Sequence, residues 1–525
     1  VICGWPGRHS SLWQQAGRAG RRGRRATAVL VARDDPLDRY LVHHPEVIFD
    51  REIETTVLDP DNPYVLLPHL CAAAAEIPLT TADLELFGPG AQEVLRLLVE
   101  RRVLRRRPRG WYWTHPQRAV DLTNLRSLDG DPFRVVQGHT GLFIGTVPAD
   151  AAHRTIHPGA VYVHQGQPWL VRTLNLQERV AIVQEGPQDV LTMARQSTTV
   201  RVISISERRS AGQKKQDGKD GPDREMCLGT VEVAVRTDSF VRKDATSGKV
   251  LGEGTLELPA QVLRTTAMWL AIDEEALADR GVLPPEVPGS LHALEHTLLG
   301  MLPLVATCDR QDVAGAWHPC HPDTGAPTVF VHDAAAGGAG FAERGYRSAE
   351  QWLQVTHSVL SDCECSAGCP SCVHSTSCSS GNEPLDRAAA LRALDTVREG
   401  LYPGSSPDGH PSGAGPDRDL DRRQERSQDG NRADRDLDAA VGRDRTGEQG
   451  GSVGPRGPGR LGARGRYRTG RGEGGEVCGG LDPVPQDLGP PHQAHGGRAE
   501  GDGGDDREHE HGSAPGLSAR AGGEP

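Results

Sequence analysis

The sequence has no apolar run that approaches the roughly 20 residues of a bilayer-spanning helix. Its N-terminus also lacks the basic and then apolar segments of a secretory signal peptide. These absences exclude a membrane-spanning helix in this sequence, and we expect a cytoplasmic protein. The chain opens on Val1, inside a short strand-like run, so we expect it to be a fragment of a longer protein.

A disulfide framework is also missing, although the chain contains 11 cysteines. Most are scattered, which is typical of a reducing compartment. Four thiolates close together can surround one tetrahedral zinc ion and leave no open position for water, so such a site is structural. A pair of disulfides and an iron–sulfur cluster are the alternatives. The clustered residues, in the string C-E-C-S-A-G-C-P-S-C, are Cys363, Cys365, Cys369 and Cys372.

The chain has no G-x-x-x-x-G-K-[ST] phosphate loop and no D-E-A-D- or D-E-A-H-like carboxylate box after a strand. It does have the helical string Q-Q-A-G-R-A-G-R, with Gln14, Arg18 and Arg21, between two strand-like runs. Arginines three residues apart can clamp a polyphosphate, although a solvated basic face has the same pattern. The full string resembles motif VI of superfamily 2 helicases, Q-x-x-G-R-x-G-R.

This resemblance implies that residues 1–50 are the end of a RecA-like α/β domain. Arg18 and Arg21 would then be arginine fingers that contact the γ-phosphate of ATP, with Gln14 as a supporting polar contact. ATP and Mg2+ would be held mainly by a region upstream of Val1. By this resemblance the family is an ATP-dependent DNA helicase, but the chain alone is expected to be inactive.

Residues 80–114 have the outline of a winged helix. Apolar residues recur at helical spacing between Ala91 and Glu100, and the run V-L-R-R-R-P-R-G-W-Y-W-T predicts two strands joined at Pro108 and Gly110. We expect the basic hairpin to contact DNA phosphates and a tryptophan to stack on a base. The alternative is a solvated turn above a tryptophan core. The residues assigned to DNA are Arg105, Arg106, Arg107, Arg109 and Trp111, with Trp113 as a substitute.

Residues 126–275 alternate short apolar runs with Gly and Pro, which predicts a small β-barrel. The polar stretch from Glu207 to Glu225 is expected to be an exposed loop. Further on, His292 and His296 lie one helical turn apart. Glu295 adjoins the second of them and cannot be the general base of an H-E-x-x-H metalloprotease, so both are expected to be polar partners in a packed helix.

The four-cysteine string follows a strand, a Gly-rich turn and a helix. The turn looks like a phosphate cradle but lacks the lysine of a nucleotide site. His332 and Asp333, at the strand end, are candidates for orienting the metal site, although a role in the core or in the turn is the preferred interpretation. This order, closed by Asp-Cys-x-Cys-x3-Cys-Pro-x-Cys, resembles the C-terminal zinc-binding domain of the MrfA-type helicases. The resemblance implies 3′-to-5′ translocation, a role in DNA repair, and zinc on the four clustered cysteines, with Cys308, Cys320 and Cys378 as substitutes.

Residues 403–525 lack Phe, Trp, Met, Ile and Lys. So few apolar side chains cannot offset the entropy of ordering, and we expect a disordered tail. It has the composition of a linker or of a shifted reading frame, although its arginines and glycines also suit a nucleic-acid-binding tail.

The sequence as a whole predicts a multidomain α/β chain. Its predicted function is that of the C-terminal portion of an ATP-dependent DNA helicase, with structural Zn2+, DNA as partner and no membrane. The alternative is a non-enzymatic DNA- or partner-binding module without the motor. The predicted domains are the end of a RecA-like domain (1–50), a helical linker and winged helix (51–125), a β-rich, barrel-like domain (126–275), an α/β zinc-binding domain (276–402) and the tail (403–525).

Overall fold

The computed structural model describes residues 1–20, 26–50, 56–123, 132–211 and 224–403. Three predictions fall wholly or partly outside these residues: the role of Arg21, the tail beyond residue 403, and the middle of the predicted loop 207–225. Within the described ranges, every helix is too short or too polar to cross a membrane.

The N-terminal segment is a β-α-β unit with two parallel strands. Ile2 pairs with Leu30, which confirms the strand-helix-strand order predicted around the Gln-Arg string. The buried Asp38 carboxylate accepts the backbone N–H groups of Trp5 at 2.9 Å and Arg33 at 2.6 Å, so it ties both strands to the next helix. The elements are β1 (Ile2–Cys3), α1 (His9–Ala16), β2 (Leu30–Val31), α2 (Pro36–His43) and α3 (Glu46–Phe49).

The next segment has the helices and hairpin of the predicted winged helix. Leu79 adds a third strand position, because its N–H and C=O pair with those of Trp111 at 3.1 and 2.9 Å. Gly110 permits this approach: its φ is +142°, and a Cβ there would lie 2.0 Å from the Leu79 oxygen. The elements are α4 (Pro63–Glu76), a 3-10 helix (Ala82–Phe87), α5 (Ala91–Glu100), β3 (Leu104–Arg107), β4 (Gly110–Trp113) and a second 3-10 helix (Ala119–Leu122).

A five-stranded sheet follows, with its own apolar core. The strand order is β6-β5-β9-β8-β7, and only β5 and β9 are parallel. The sheet curls so that the ring of His164, in β7, lies against Gly145, in β6. These two edge strands approach each other but do not pair, so the predicted barrel is a half-barrel. The elements are β5 (Phe133–Gln137), β6 (Phe143–Val147), α6 (Ala149–Thr155), β7 (Val161–His164), β8 (Gln167–Asn175) and β9 (Val180–Glu185).

A six-stranded antiparallel sheet connects the β-rich region to the cysteine-rich one. Its order is β10-β11-β13-β15-β14, and β12 pairs with β11. The predicted loop 207–225 is wrong at both ends, because β10 continues to Ala211 and pairs there with Arg224 of β11. The strands are β10 (Val190–Ala211), β11 (Arg224–Asp244), β12 (Val250–Thr255), β13 (Gln261–Ile272), β14 (Val313–His318) and β15 (Thr328–Asp333).

Helices cover one face of this sheet and enclose the largest core. The central helix is buried along almost its entire length, and the Trp352 indole N–H donates to its Leu298 carbonyl at 3.0 Å. The N-terminal unit contributes Trp5 and Leu41 to the same core. The elements are α7 (Glu274–Asp279), a 3-10 helix (Pro284–Glu286), α8 (Val287–Met301, the central helix), α9 (Pro303–Ala306), α10 (Phe341–Arg347), α11 (Ala349–Ser361) and α12 (Arg387–Leu401).

The Gly-rich turn after β15 is filled by a carboxylate of the protein itself. Asp333, fully buried, accepts backbone N–H bonds from Ala339 at 2.6 Å, Gly340 at 2.9 Å and Ala342 at 2.8 Å. It thus occupies the anion position before α10, where a phosphate would lie in a nucleotide cradle. Of the two roles considered for Asp333, the structure thus shows the one in the turn.

Replacing Asp333 should destabilise the fold. Asp333→Ala leaves three buried N–H groups without their acceptor, which should lower the free energy of unfolding by about 3 kcal/mol in urea denaturation. Asp279→Ala, at an exposed position on α7, is the control and should change it little. An unchanged unfolding midpoint for Asp333→Ala would contradict this account of the turn.

The same pair of proteins should differ in pH dependence. Burial raises the pKa of Asp333 to about 6, and the backbone N–H donors oppose that rise. Because the folded pKa exceeds the usual value of 3.8, the stability that this group contributes is lost as the pH rises through about 6. The difference in unfolding free energy between wild type and Asp333→Ala should therefore be about 1 kcal/mol larger at pH 5 than at pH 7.

Candidate functional site

The four clustered cysteines converge on one point between α11 and α12. The Sγ atoms of Cys363 and Cys369 are 3.5 Å apart, as are those of Cys365 and Cys372, and the Cys369–Cys372 distance is 3.6 Å. All four sulfurs lie within 4.8 Å of one another. Zn–S bonds of about 2.3 Å give a tetrahedron with edges of about 3.8 Å, so this arrangement fits one zinc ion.

The two alternative interpretations of these cysteines fit the geometry less well. A disulfide needs an S–S distance of about 2.05 Å, and each of the ten cysteines in the described ranges is free. An iron–sulfur cluster places several iron and sulfide atoms between its cysteines, whereas these sulfurs are close enough to share a single ion.

Backbone hydrogen bonds and one arginine shape the cysteine loop. The N–H groups of Cys372 and Val373 both point to the Cys369 carbonyl, at 3.1 Å, which forms a tight turn around the third ligand. Arg387, at the start of α12, donates to the carbonyls of Cys365 at 3.0 Å and Leu360 at 2.5 Å. The loop is therefore held at both ends, by α11 and by α12.

The electrostatics of the loop favour a cation. Burial raises the pKa of the Cys372 thiol strongly, and burial is also the main cause of the raised pKa of Cys365. Thiolates in this setting need a positive partner, and a zinc dication supplies it directly.

The three substitute cysteines are not part of this site. Cys308 is buried elsewhere in the core, and Cys320 is exposed. Cys378 lies instead beside His292 and His296 of α8. Burial opposes ionisation of Cys378, but hydrogen bonds with His292, His296 and Ser380 lower its pKa to about 4. From the sequence, His292 and His296 are expected only to be polar partners in a packed helix. Their contact with Cys378 has no signal in the sequence, because Cys378 is 86 residues from His292 along the chain.

The arginines of the winged helix form an exposed basic hairpin. Side chains alternate along β3, so Arg105 and Arg107 share one face, and Arg106 lies on the other with Leu104. All three arginines are exposed, as is Arg109 in the turn. The outer face is therefore a compact patch of positive charge, which suits phosphate contacts.

The structure corrects the assignment of Trp111. Its side chain is only 7% exposed and lies in the core of the winged helix, with the Arg106 guanidinium 5.4 Å from the ring centroid. It cannot stack on a base without leaving that core. Trp113 donates its indole N–H to the Gln117 carbonyl at 2.9 Å. The aromatic side chain on the outer face is Tyr112, which pairs with Arg105 across the hairpin and was not singled out by the sequence.

The Gln-Arg string lies at the surface of the N-terminal unit. Gln14 is exposed on α1, and Arg18 is exposed one residue beyond the Gly17 that ends this helix. Arg21 lies outside the described residues. The unit also touches the cysteine loop directly, because the Ser371 hydroxyl donates to the Asp34 carboxylate.

Comparison with known proteins identifies two of these regions. A family model for the MrfA Zn-binding domain matches residues 294–373, which include the four cysteines. A model for the winged helix domain of the ATP-dependent helicase HRQ1 matches residues 58–127, which include the arginine hairpin. The predicted winged helix is thereby confirmed.

Relatives match a larger part of the chain. It is 29% identical over 376 residues to the uncharacterized ATP-dependent helicase YprA of Bacillus subtilis, covering 71% of this chain and 48% of YprA. It is 26% identical over 420 residues to the ATP-dependent helicase HRQ1 of Saccharomyces cerevisiae, covering 76% of this chain and 37% of HRQ1. The chain thus spans less than half the length of these relatives.

The chain is also similar to solved structures. A crystal structure of the DUF1998 helicase MrfA bound to DNA has 28% sequence identity and a TM-score of 0.48, with 75% of this chain and 52% of that chain covered.

Loss of one clustered cysteine should remove a zinc ion. Cys369→Ser takes away a thiolate that closes the tetrahedron, so the zinc content measured by elemental analysis should fall by about one equivalent per chain. Because metal binding stabilises the folded loop, the residues around α12 should also become sensitive to limited proteolysis. Cys320→Ser, at an exposed cysteine, should keep the wild-type zinc content. Equal zinc in Cys369→Ser and wild type would contradict the assignment.

Proposed function

We infer that this chain, which belongs to the MrfA-type helicase family, is the C-terminal portion of an ATP-dependent DNA helicase or translocase. The observation that carries the proposal is the exposed arginine hairpin on a winged helix that matches a helicase winged helix. A winged helix with a basic wing is suited to hold the DNA backbone, because arginine contacts to phosphate position a duplex without reading its sequence.

The N-terminal unit would face the nucleotide. Arg18 is exposed immediately after α1, so its guanidinium is free to reach beyond the chain's own surface. In the proposed function Arg18 and Arg21 stabilise charge on the γ-phosphate and Gln14 supports them, while ATP and Mg2+ are bound by a preceding motor region. We propose 3′-to-5′ translocation and a role in DNA repair on the resemblance to the family. We also propose a cytoplasmic location, because the scattered cysteines are typical of a reducing compartment.

The zinc ion would be structural in this function. Four protein thiolates complete its coordination and leave no position for substrate or water. The ion lies between α11 and α12, so it stabilises the domain to which the winged helix and the N-terminal unit are attached. Catalysis in this proposal belongs to the nucleotide side.

A second candidate is a DNA-binding module without motor activity. It needs only the exposed arginine hairpin, which can contact phosphates without a nucleotide. It shares the DNA-binding hairpin with the first candidate and differs only in whether a nucleotide site acts with this chain.

Binding to DNA should depend on the outer face of the hairpin. Arg105→Ala combined with Arg107→Ala removes two phosphate contacts, so the slope of log Kd against log salt should decrease by about 2. This substitution spares Arg106, which covers Trp111. The measurement is fluorescence anisotropy with a forked duplex over a salt series.

The control removes two arginines on the large sheet, Arg195→Ala with Arg236→Ala, which are paired with Glu253 and Asp238. Its net charge changes by the same amount, so any difference between the two proteins reports position rather than total charge. An unchanged salt slope in the hairpin variant would place the DNA contact elsewhere.

The chain alone should not hydrolyse ATP. Without a phosphate loop the arginines have no nucleotide to act on, so purified chain with single-stranded DNA should release phosphate at the background rate. DNA-stimulated turnover that follows the chain through purification, and is lost in Arg18→Ala, would show that it contains a complete nucleotide site.

A further inference from the structure

A second group of metal-ligand atoms lies beside the four-cysteine site. It consists of His292 and His296, one turn apart on α8, and Cys378 in the loop before α12. Their ligand atoms lie within 4.8 Å of one another. The two histidines are 3% and 5% exposed, and Cys378 is half-buried. This His-His-Cys group shares no ligand with the four-cysteine site.

The tautomers of both histidines are fixed by backbone carbonyls. Nδ1 of His292 is 2.7 Å from the Pro384 carbonyl, and Nδ1 of His296 is 2.7 Å from the Val373 carbonyl. A carbonyl can only accept, so each Nδ1 carries the hydrogen and each neutral ring has its lone pair on Nε2. A backbone carbonyl bound to the far nitrogen is the usual support of a metal-ligating histidine.

The second ring nitrogens of both histidines face the sulfur of Cys378. Nε2 of His292 is 3.4 Å from Cys378 Sγ, and the two imidazole centroids are 4.4 Å apart. One thiol hydrogen cannot serve two nitrogen lone pairs. A cation bound by all three atoms satisfies each of them, and the ligand–ligand edges of a zinc site, about 3.3 to 3.8 Å, agree with this spacing.

The surroundings of the sulfur are those of a thiolate ligand. The Asn382 N–H points to Cys378 Sγ at 3.3 Å, and the Ser380 hydroxyl lies 3.1 Å from it. Trp317 stacks on His292 with the centroids 5.2 Å apart, which fixes the ring orientation. The ligands are therefore held in place by neighbours from β14 and from the loop.

A buried acidic side chain borders the His-His-Cys group. Glu295 is 7% exposed, and its Oε2 is 3.6 Å from Nε2 of His296. Glu295 is not one of the three residues whose ligand atoms converge, so it borders the proposed ion through His296 rather than as a ligand.

We propose that His292, His296 and Cys378 bind a second zinc ion, which fastens α8 to the loop that follows the four-cysteine site. Imidazole and thiolate donors in a tetrahedral arrangement select zinc over magnesium or calcium. The competing arrangement is an imidazolium–thiolate pair without metal, and the two differ in the metal content of the protein.

The first test needs no substitution. The full chain is purified under reducing conditions without chelator, its zinc is counted by elemental analysis, and zinc coordination is measured by X-ray absorption. Two sites predict about two zinc ions per chain, with about 2.5 sulfurs per zinc on average and imidazole scattering in the spectrum. One zinc ion bound by four sulfurs, without imidazole scattering, would overturn the proposal.

The second test assigns the ligands. Cys378→Ser should lose about one zinc ion, and its remaining zinc should show four sulfurs and no imidazole. Cys369→Ser should lose the other ion and retain a zinc spectrum with imidazole. Cys3→Ser, at an exposed cysteine of β1, is the matched control and should keep both ions.

The proposal can be tested even if Cys378→Ser does not fold. If Cys378→Ser is insoluble, His292→Asn is used with the same readouts, because its amide nitrogen takes the place of Nδ1 and can still donate to the Pro384 carbonyl. Wild-type zinc content and an unchanged spectrum in a folded variant of either residue would show that the His-His-Cys group binds no metal.

Discussion

The buried polar face of α8 is the constraint on which the zinc-binding region depends. This helix carries histidines and a threonine into the core, and buried polar groups are costly without partners. Their partners are carbonyls of the cysteine loop and of the segment after it: His296 bonds Val373, Thr297 bonds Cys372 at 3.2 Å, and His292 bonds Pro384. These hydrogen bonds fasten the loop to the core, and the metal ion adds to them by joining the four cysteines.

Local patterns in the sequence predicted the parts of the molecule that are made of local contacts. The cysteine spacing brings four sulfurs together within a single loop, and α5 spans the predicted residues Ala91–Glu100. Both depend on residues that are close in the chain, so spacing and periodicity suffice. The same is true of the hairpin from β3 to β4, whose turn is marked by Pro108 and Gly110.

The incorrect or missing predictions concern contacts between segments that are far apart in the sequence. Trp111 was assigned to DNA because it follows four arginines, but pairing with Leu79 turns its side chain into the winged-helix core. The long strands β10 and β11 extend into a segment whose polar composition suggested a loop, because pairing with each other satisfies their backbone groups. The partnership of His292 with Cys378 depends on how α8 packs, and no spacing rule joins residues so far apart.

The zinc-binding region also supports the other two functional regions. Asn62, at the start of α4 in the winged helix, donates to the carbonyls of Ala336 at 2.9 Å and Gly338 at 2.5 Å, in the turn that Asp333 closes. Asp34, just after β2 of the N-terminal unit, accepts from Ser371 in the cysteine loop. The arginine hairpin and the Gln-Arg string are thus anchored to one rigid core at two separate points. A change of position at either functional segment has to be absorbed by these contacts, because the close-packed helices between them leave little room for adjustment. In a helicase this arrangement would couple the nucleotide side to the DNA side through the core, and a metal ion in the loop would add stiffness at the point where Asp34 attaches.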